Sequence, residues 1–309
     1  MTSPNPAFWS RLSGVIVAIL VAISWFAPVT APASAAQIAC ASTTPSAITP
    51  ATPVAATPDA TSAASFPDGG GTLTVFAAAS LTDAFAEIEG TLEGQNEVLD
   101  IIVETGSSQT LVTQLQEGAE ADVLATANTS TMTEAVERGL IGGEPVTFTG
   151  NRLVIVTPAD NPAAVEDISD LTGSDLRLVV AEESVPAGRY AREAICAWGS
   201  SGTAPAGAVA VISENIVSDE PDVRNVLAKV QIGEADAGIV YASDAAASAL
   251  AGTPLNVIEL PASVPVTVTY PIATIVTGNG ALARAFIAYV LSAEGQAVLT
   301  RYGFSPVAP

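Results

Sequence analysis

The chain has 309 residues, of which 49% are apolar and 14% charged; this is enough for two domains with buried cores and excludes a wholly disordered chain. Its 32 acidic and 10 basic residues give a formal charge of −22, so nucleic acid and anionic membrane surfaces are poor partners. The absence of histidine excludes the usual hydrolytic triads, and two cysteines, Cys40 and Cys196, are too few for a four-thiolate metal site or a disulfide framework.

The N-terminus has the pattern of a secretory signal peptide. Arg11 precedes a short apolar run at residues 15–23, and small residues follow at 33–36. This pattern predicts a signal peptide over residues 1–36 and an exported protein, in the periplasm or on the outer face of the cytoplasmic membrane. We expect the mature chain to begin between Ala35 and Cys40.

Two other fates of the N-terminus stay open. The apolar run could be a retained membrane anchor, although it is shorter than the roughly 20 residues of a membrane span. Cys40 could also carry a lipid that tethers the protein to the membrane. Residues 37–39 fit a lipoprotein processing site poorly, so we rank lipidation below simple cleavage.

Residues 37–71 are predicted to form a disordered tether. The segment is rich in Ala, Thr, Ser and Pro, and Thr-Pro pairs recur at 44–45, 49–50, 52–53 and 57–58. Repeated proline without large apolar residues cannot build a core. We expect the folded part to begin at Thr72.

From Thr72 onward, apolar strands alternate with amphipathic helices. The predicted strands are 73–77, 101–103, 122–125, 153–156, 178–180, 209–211 and 238–240, with an extended run at 264–276. The predicted helices include 81–92, 108–116, 132–138, 187–198, 223–230 and 281–299. This alternation indicates an α/β fold with largely parallel sheets.

Four junctions between a strand and the next helix could bind an anion. They lie at Ser80, 106–108, 184–188 and 219–223. A helix start carries unpaired backbone N–H groups and about half a positive charge, and in open α/β sheets such starts gather at the carboxyl ends of the strands. Each junction taken alone is more typical of an ordinary helix cap, and spacing does not show that the four converge.

Five ordered motifs resemble those of the molybdate-binding proteins of ABC importers. The resemblance covers residues 72–305. The motifs are TVFAAASLTD at 74–83, GSSQTL at 106–111, VPAGRYA at 185–191, DVR at 222–224 with GEA at 233–235 and GIVYASDA at 238–245, and RYGF at 301–304.

The resemblance implies a two-lobed periplasmic binding protein type II fold. Each lobe would be a mostly parallel sheet flanked by helices, with lobe 1 at 72–152 and 270–309 and lobe 2 at 153–269. A hinge of two segments, near residues 151–152 and 267–271, would join them. The protein would be a monomer and not an enzyme. It would capture molybdate or tungstate and pass it to an ABC transporter permease, with no cofactor.

The resemblance also implies five contacts with the oxyanion. They are the hydroxyls of Ser80 and Ser108, the backbone N–H groups of Ala187 and Val223, and the hydroxyl of Tyr241. These residues would contact the anion's oxygen atoms and not the metal itself.

Three residues or segments near these positions carry expectations of their own. Residues 127–130, Ala-Asn-Thr-Ser, stand where the family often has an acidic residue, which puts the fine selectivity in doubt. Arg189 could steer anions, but a solvated surface arginine is the preferred interpretation. Cys196 lies mid-helix and is predicted to be a small buried apolar residue.

Two alternative functions remain. Another oxyanion such as sulfate could be the ligand; phosphate fits less well, because a protonated ligand needs an acceptor. A secreted serine hydrolase is the alternative from another class, since residues 106–108 superficially suggest a nucleophile turn. Without histidine, no such base could activate the serine.

Overall fold

Two five-stranded sheets flanked by helices carry the fold in the computed structural model of the chain. The structure describes residues 38–40, 66–67, 69–264 and 266–306, so the predicted signal peptide at 1–36 lies outside the described residues. The strands are β1 Gly71–Ala78, β2 Leu99–Gly106, β3 Val123–Ala125, β4 Val146–Asn151, β5 Leu153–Thr157, β6 Leu178–Ala181, β7 Ile216–Glu220, β8 Ala237–Tyr241, β9 Asn256–Glu259 and β10 Val268–Thr274. The α-helices are α1 Thr82–Gln95, α2 Ser108–Gln116, α3 Thr129–Glu137, α4 Pro186–Ser200, α5 Ala208–Asn215, α6 Val223–Gln231, α7 Ala242–Leu250, α8 Gly280–Leu291 and α9 Ala293–Arg301.

The two sheets have the same arrangement of strand directions. The first has the order β2-β1-β3-β10-β4 and the second the order β7-β6-β8-β5-β9. In each, the first three strands are parallel, the fourth is antiparallel to its neighbours, and the fifth again runs with the first three. Four of five strands therefore point the same way, which confirms the predicted α/β fold with mostly parallel sheets.

The chain passes between the sheets at two places. It leaves the first sheet at the end of β4 and enters the second at Leu153, the start of β5, and it returns to the first sheet at Val268 in β10. These crossings lie close to the boundaries at residues 152 and 269 that we expected for two lobes. The division into two lobes that move about a hinge stays a prediction.

Burial follows the apolar pattern of the sequence. All five residues of β5 and of β8 are buried, which is typical of strands covered on both faces. In α1 the buried side chains are Ala84, Phe85, Ile88 and Leu92, and Leu81 just before the helix is also buried. The helical face predicted from Leu81, Phe85, Ile88 and Leu92 is confirmed, and each such buried side chain contributes about 1.5–3 kcal/mol.

Some predicted elements were wrong. Residues 209–211 lie in α5 and do not form a strand, because the buried residues Ala208 and Ile212 follow helical spacing and place one face of α5 in the core. The helix predicted at 281–299 is broken at Ser292, whose side chain accepts a hydrogen bond from Gly295 N at 3.2 Å and caps α9. The strands β4, β7 and β9 and the helix α7 were not predicted from the sequence.

The described part of the chain gives only weak evidence of a membrane-spanning helix. No single helix there is long and apolar enough to cross a membrane. The pair α8 and α9, bent by 64°, meets the test of length and composition only when the two helices are taken together.

A disulfide joins Cys40 to Cys196, with Cα atoms 5.5 Å apart. The prediction of Cys196 as a small buried apolar residue is therefore wrong: it is half-buried and bonded to a cysteine 156 residues away, in a segment expected to be disordered. Ile38 N donates to Ser213 Oγ at 2.9 Å and ties the same segment to α5. The described start of the expected tether is thus fixed to the fold, while residues 41–65 and 68 lie outside the described residues.

The disulfide also bears on lipidation. A lipoprotein carries its lipid on the thiol of the N-terminal cysteine, and Cys40 Sγ is bonded to Cys196. The two modifications exclude each other at Cys40, so this structure counts against a lipid anchor there.

Removing the disulfide should lower thermal stability without abolishing the fold. Closing so long a loop typically contributes about 2–5 kcal/mol, which corresponds to a fall in Tm of roughly 5–15 °C in a chain of this size. We expect dithiothreitol to lower the Tm of the wild type, measured by circular dichroism. The Cys40→Ser/Cys196→Ser double variant should melt like the reduced wild type and ignore the reductant. Two free thiols in the unreduced exported protein would contradict the pairing.

Candidate functional site

One pocket brings together all five residues that the resemblance implied. The space between its lining residues is about 210 Å³, a figure that includes volume open to solvent. Strand ends and helix starts from both sheets form its walls. The lining residues are Ala78, Ala79, Ser80, Gly106, Ser107, Ser108, Ala127, Val185, Pro186, Ala187, Asp222, Val223 and Tyr241. The four helix starts, whose convergence could not be inferred from their spacing in the sequence, therefore meet at this pocket. Their contact with a ligand stays a prediction.

The two serines come from neighbouring parallel strands of the first sheet. Ser80 lies in a 3-10 turn, Ala79–Leu81, between β1 and α1, and Ser108 is the first residue of α2 after β2. The side chain of Ser107 caps α2 by accepting from Thr110 N at 3.1 Å, and Ser108 lines the pocket beside it. Both serines are buried, at 6% and 1% exposure.

Each serine hydroxyl already has one partner inside the protein. Ser108 Oγ accepts from the backbone N–H of Ala127 at 2.9 Å. Ser80 Oγ is hydrogen-bonded to the hydroxyl of Tyr270 at 2.8 Å. These bonds fix the positions of both oxygens before any ligand arrives.

The second sheet supplies two helix starts. Ala187 lies in the first turn of α4, whose N-cap residue Val185 offers no side-chain acceptor, and Pro186 occupies a favoured first-turn position. Gly188 lets this helix start close to β6, because a Cβ there would lie 2.1 Å from the carbonyl oxygen of Glu182. Val223 is the first residue of α6. Unpaired backbone N–H groups at such starts favour an anion.

Tyr241 is the last residue of β8 and lines the pocket together with the two helix starts of its sheet. Its side chain is 1% exposed, and among the described residues its hydroxyl has no hydrogen-bond partner. Burial raises the pKa of Tyr241 well above its ordinary value, so the phenol stays neutral and can donate. A buried hydroxyl without a partner is unfavourable by itself and calls for an acceptor in the pocket.

No lysine or arginine is among the described residues that line the pocket. The nearest cations are held elsewhere: Arg224 Nη1 lies 2.7 Å from Asp83 Oδ2, and the Arg189 guanidinium donates to Ser130 Oγ. Arg189 is 40% exposed, as expected of a surface arginine, but this bond links α4 to α3 across the two sheets. The pocket is therefore neutral at its walls, apart from Asp222, whose carboxylate accepts from Asn225 N at 3.0 Å.

A buried carboxyl lies just behind the pocket. Asp244 is fully buried, and its Oδ2 accepts from Tyr241 N at 3.2 Å, while its Oδ1 has no hydrogen-bond partner among the described residues. Burial raises the pKa of Asp244 to about 7, although the nearby Arg224 acts in the opposite direction.

Two residues that support Ser80, Tyr270 and Asn151, were not predicted from the sequence. Tyr270 is fully buried in β10, and Asn151 Nδ2 lies 3.3 Å from its hydroxyl. The only signal was a polar aromatic residue within the extended run at 264–276, since a buried tyrosine hydroxyl usually has a partner. The loop at 127–130 does lie at the site as the resemblance implied, because Ala127 lines the pocket.

The groups around the pocket suit an anion and not a cation. Hydroxyls and backbone N–H groups donate hydrogen bonds to anionic oxygens, whereas protein sites for metal ions are mostly built from carboxylate, imidazole, thiolate or carbonyl ligands. Within the described ranges, no group of three or more His, Cys, Asp or Glu residues could hold a metal ion.

Asp244 should make the stability of the protein depend on pH. Its folded pKa of about 7 lies above the unfolded value of about 3.9, so the folded chain binds the extra proton between these values and stability falls as pH rises through this window. We expect Asp244→Asn to flatten the fall in Tm between pH 5 and 7.5 relative to the wild type. The exposed control Asp175→Asn should leave the wild-type slope. Parallel curves for Asp244→Asn and the wild type would show that Asp244 ionises normally.

Comparison with known proteins shows the family of the chain. A family model described as a bacterial extracellular solute-binding protein matches residues 73–305. The molybdate-binding protein ModA of Mycobacterium tuberculosis is 38% identical over 247 residues, which cover 80% of this chain and 89% of that protein.

Two solved structures share the fold at 19% identity. The periplasmic molybdate-binding protein of Azotobacter vinelandii superposes with a TM-score of 0.66 over 77% of this chain and 99% of its own. The sulfate-binding protein SubI of Mycobacterium tuberculosis superposes with a TM-score of 0.68 over 77% of this chain and 88% of its own. The chain belongs to the bacterial extracellular solute-binding proteins and, within them, to the family of molybdate-binding proteins.

Proposed function

We propose that this protein captures molybdate or tungstate outside the cytoplasm and passes it to the permease of an ABC importer. It makes and breaks no bond. The observation that carries the proposal is the buried hydroxyl of Tyr241, which has no hydrogen-bond partner among the described residues and lines one pocket with two serines and two helix starts. All of these groups can donate hydrogen bonds, and the carboxylate of Asp222 in the lining already accepts from Asn225 N at 3.0 Å.

Molybdate matches such a set because it is an unprotonated dianion at neutral pH. Its four oxygens accept hydrogen bonds and donate none. Ser80, Ser108 and Tyr241 donate through hydroxyls, and Ala187 and Val223 donate through backbone N–H groups at helix starts, where the helix dipole adds a favourable positive potential. The protein supplies no cofactor, and the metal atom stays enclosed by its own oxygens.

Capture would proceed by closure of two lobes over the anion. The pocket takes Ser80 and Ser108 from the first sheet and Ala187, Val223 and Tyr241 from the second. The ion pair between Asp83 in α1 and Arg224 in α6 joins the same two halves beside the pocket. A monomer closed in this way would present a surface that depends on the ligand, which a permease can recognise.

Export is supported by the disulfide. Disulfides persist in oxidising compartments and are rare in the reducing cytoplasm. Cleavage between Ala35 and Cys40 would leave Cys40 near the new N-terminus, where it still binds Cys196. A retained anchor at residues 15–23 is the alternative, and it would hold the same folded part at the membrane.

Sulfate is the second candidate ligand. The fold shared with a sulfate-binding protein allows it, and sulfate is likewise an acceptor-only dianion. Sulfate is smaller than molybdate, so a cavity fitted to molybdate would leave its donors too far away. A serine hydrolase is disfavoured, because Ser108 Oγ accepts from a backbone amide and the chain has no histidine to act as its base.

A competition titration tests the ligand class. Calorimetry on the mature protein should give tight binding of molybdate and tungstate, and binding of sulfate and hydrogen phosphate weaker by at least about a hundredfold, which corresponds to about 2.7 kcal/mol. Equal affinity for sulfate and molybdate would contradict the assignment.

Variants test whether neutral donors carry the binding. Ser80→Ala, Ser108→Ala and Tyr241→Phe each remove one hydrogen bond to a charged ligand, about 1.5–3 kcal/mol, and should each weaken molybdate binding by roughly one to two decades. Ala187→Asp should be worse, since it places a negative charge beside the anion.

Arginine variants are the matched comparison. Arg189→Gln and Arg224→Gln should weaken binding only a few-fold, because their side chains contact protein groups and partly exposed ion pairs contribute about 0–1 kcal/mol. For Arg224→Gln we expect the weaker affinity to appear as faster dissociation of molybdate, measured by stopped-flow fluorescence, since the ion pair joins the two closed halves. If the arginine variants lost binding while the serine variants kept it, the site would be a salt-bridge site.

A further inference from the structure

We propose that Tyr270 is a positioning residue that fixes Ser80 as a hydrogen-bond donor and thereby selects unprotonated oxyanions over protonated ones. The proposal rests on the proposed function and deepens it, because it names what distinguishes the accepted anions from hydrogen phosphate. It follows from the directions of three hydrogen bonds behind the pocket.

Asn151 determines the direction of the first of these three hydrogen bonds. Its Oδ1 accepts from Arg152 N at 2.9 Å, which fixes the orientation of the amide. Its Nδ2 then donates to Ser243 Oγ at 2.8 Å and to the hydroxyl of Tyr270 at 3.3 Å. The oxygen of Tyr270 is therefore an acceptor toward Asn151, because an amide N–H can only donate.

The second bond follows from the first. Burial raises the pKa of Tyr270, so the phenol keeps its proton. Among the described residues, the acceptor within hydrogen-bond distance of that proton is Ser80 Oγ, 2.8 Å away. If Ser80 donated instead, the phenol proton would have no acceptor in a fully buried position, which is unfavourable.

The third bond is the one that a ligand would complete. Ser80 Oγ accepts from Tyr270, so its own proton is free to point into the pocket that it lines. Ser108 has the same property, since its Oγ accepts from Ala127 N. The difference is that the partner of Ser108 is backbone, whereas the partner of Ser80 is a side chain that a substitution can remove.

Aromatic packing holds the Tyr270 ring independently of its hydroxyl. Phe304 packs against it edge-on with ring centroids 5.4 Å apart, Phe148 does so at 6.3 Å, and Tyr241 lies at 6.0 Å. Tyr270→Phe should therefore keep the ring in place and remove only the donor to Ser80. Ser80 could then turn its lone pairs toward the pocket and accept a proton from the ligand.

Tyr270→Phe should alter the preference of the site for unprotonated over protonated anions. Molybdate and sulfate carry no proton at neutral pH and need donors only, whereas hydrogen phosphate carries a proton that needs an acceptor. In Tyr270→Phe we expect molybdate and sulfate affinity to fall about three- to tenfold, because the Ser80 donor is no longer fixed, while hydrogen phosphate affinity stays unchanged or rises. The preference for molybdate over hydrogen phosphate should therefore narrow.

The experiment is a calorimetric titration of the wild type, Tyr270→Phe and the control Tyr289→Phe with all three anions at one pH and ionic strength. Tyr289, buried in α8, tests the same chemical change away from the pocket and should behave as the wild type. Equal weakening of all three anions in Tyr270→Phe would overturn the proposal, because a purely structural role predicts it.

A double-mutant cycle makes the test independent of weak phosphate binding. If Tyr270 acts through Ser80, Tyr270→Phe should have no further effect on molybdate affinity in the Ser80→Ala background. A full additional loss there would also overturn the proposal. A wild type that bound none of the three anions would instead overturn the proposed function, so the two failures are distinguishable.

Discussion

A dianion in a pocket without cationic side chains must be held by hydrogen-bond donors whose positions are fixed beforehand. This constraint explains why helix starts meet at the pocket. Parallel strands bring their carboxyl ends to one edge of each sheet, and the helices that follow begin there with unpaired N–H groups. The pocket takes Ser80 and Ser108 from one sheet and Ala187 and Val223 from the other, so neither sheet alone forms it.

Among the described residues, the pocket walls contain no cationic side chain and a single carboxylate, that of Asp222, and the charges around the pocket are paired or buried. Arg224 pairs with Asp83, Arg189 bonds to Ser130, and buried Asp244 has a pKa of about 7, so it is only partly ionised near neutral pH. A chain with a formal charge of −22 can therefore present a locally favourable site for an anion. Fixed donors also discriminate by protonation state, which a single mobile cation would not do.

Much of the fold followed from periodicity in the sequence. The helical face of Phe85, Ile88 and Leu92 and the fully buried strands β5 and β8 were predictable because their apolar spacing is regular. Residues 209–211 were wrongly predicted as a strand because Val209 and Val211, two β-branched residues in a short apolar run, outweighed the longer helical spacing around them. Cys40 could not be paired from sequence, because nothing local in a Pro- and Thr-rich segment indicates a partner 156 residues away.

The candidate site could be predicted only in part from the sequence. Residues that begin helices carry a local signal, and the motifs of the family located all five that line the pocket. Tyr270 and Asn151 were missed because they act on Ser80 across the fold. Tyr270 lies 190 residues from Ser80 in the sequence, and Asn151 lies 119 residues from Tyr270. Their roles depend on hydrogen-bond direction, which only the assembled arrangement of donors and acceptors defines.

The most direct test of a neutral-donor site is a crystal structure of the mature protein with molybdate, with the metal located by its anomalous signal. The account predicts the anion in the pocket between the two sheets. Its oxygens should lie about 2.7–3.1 Å from the hydroxyls of Ser80, Ser108 and Tyr241 and from the backbone nitrogens of Ala187 and Val223. An anion bound by the guanidinium of Arg189 or Arg224, or bound outside this pocket, would contradict it.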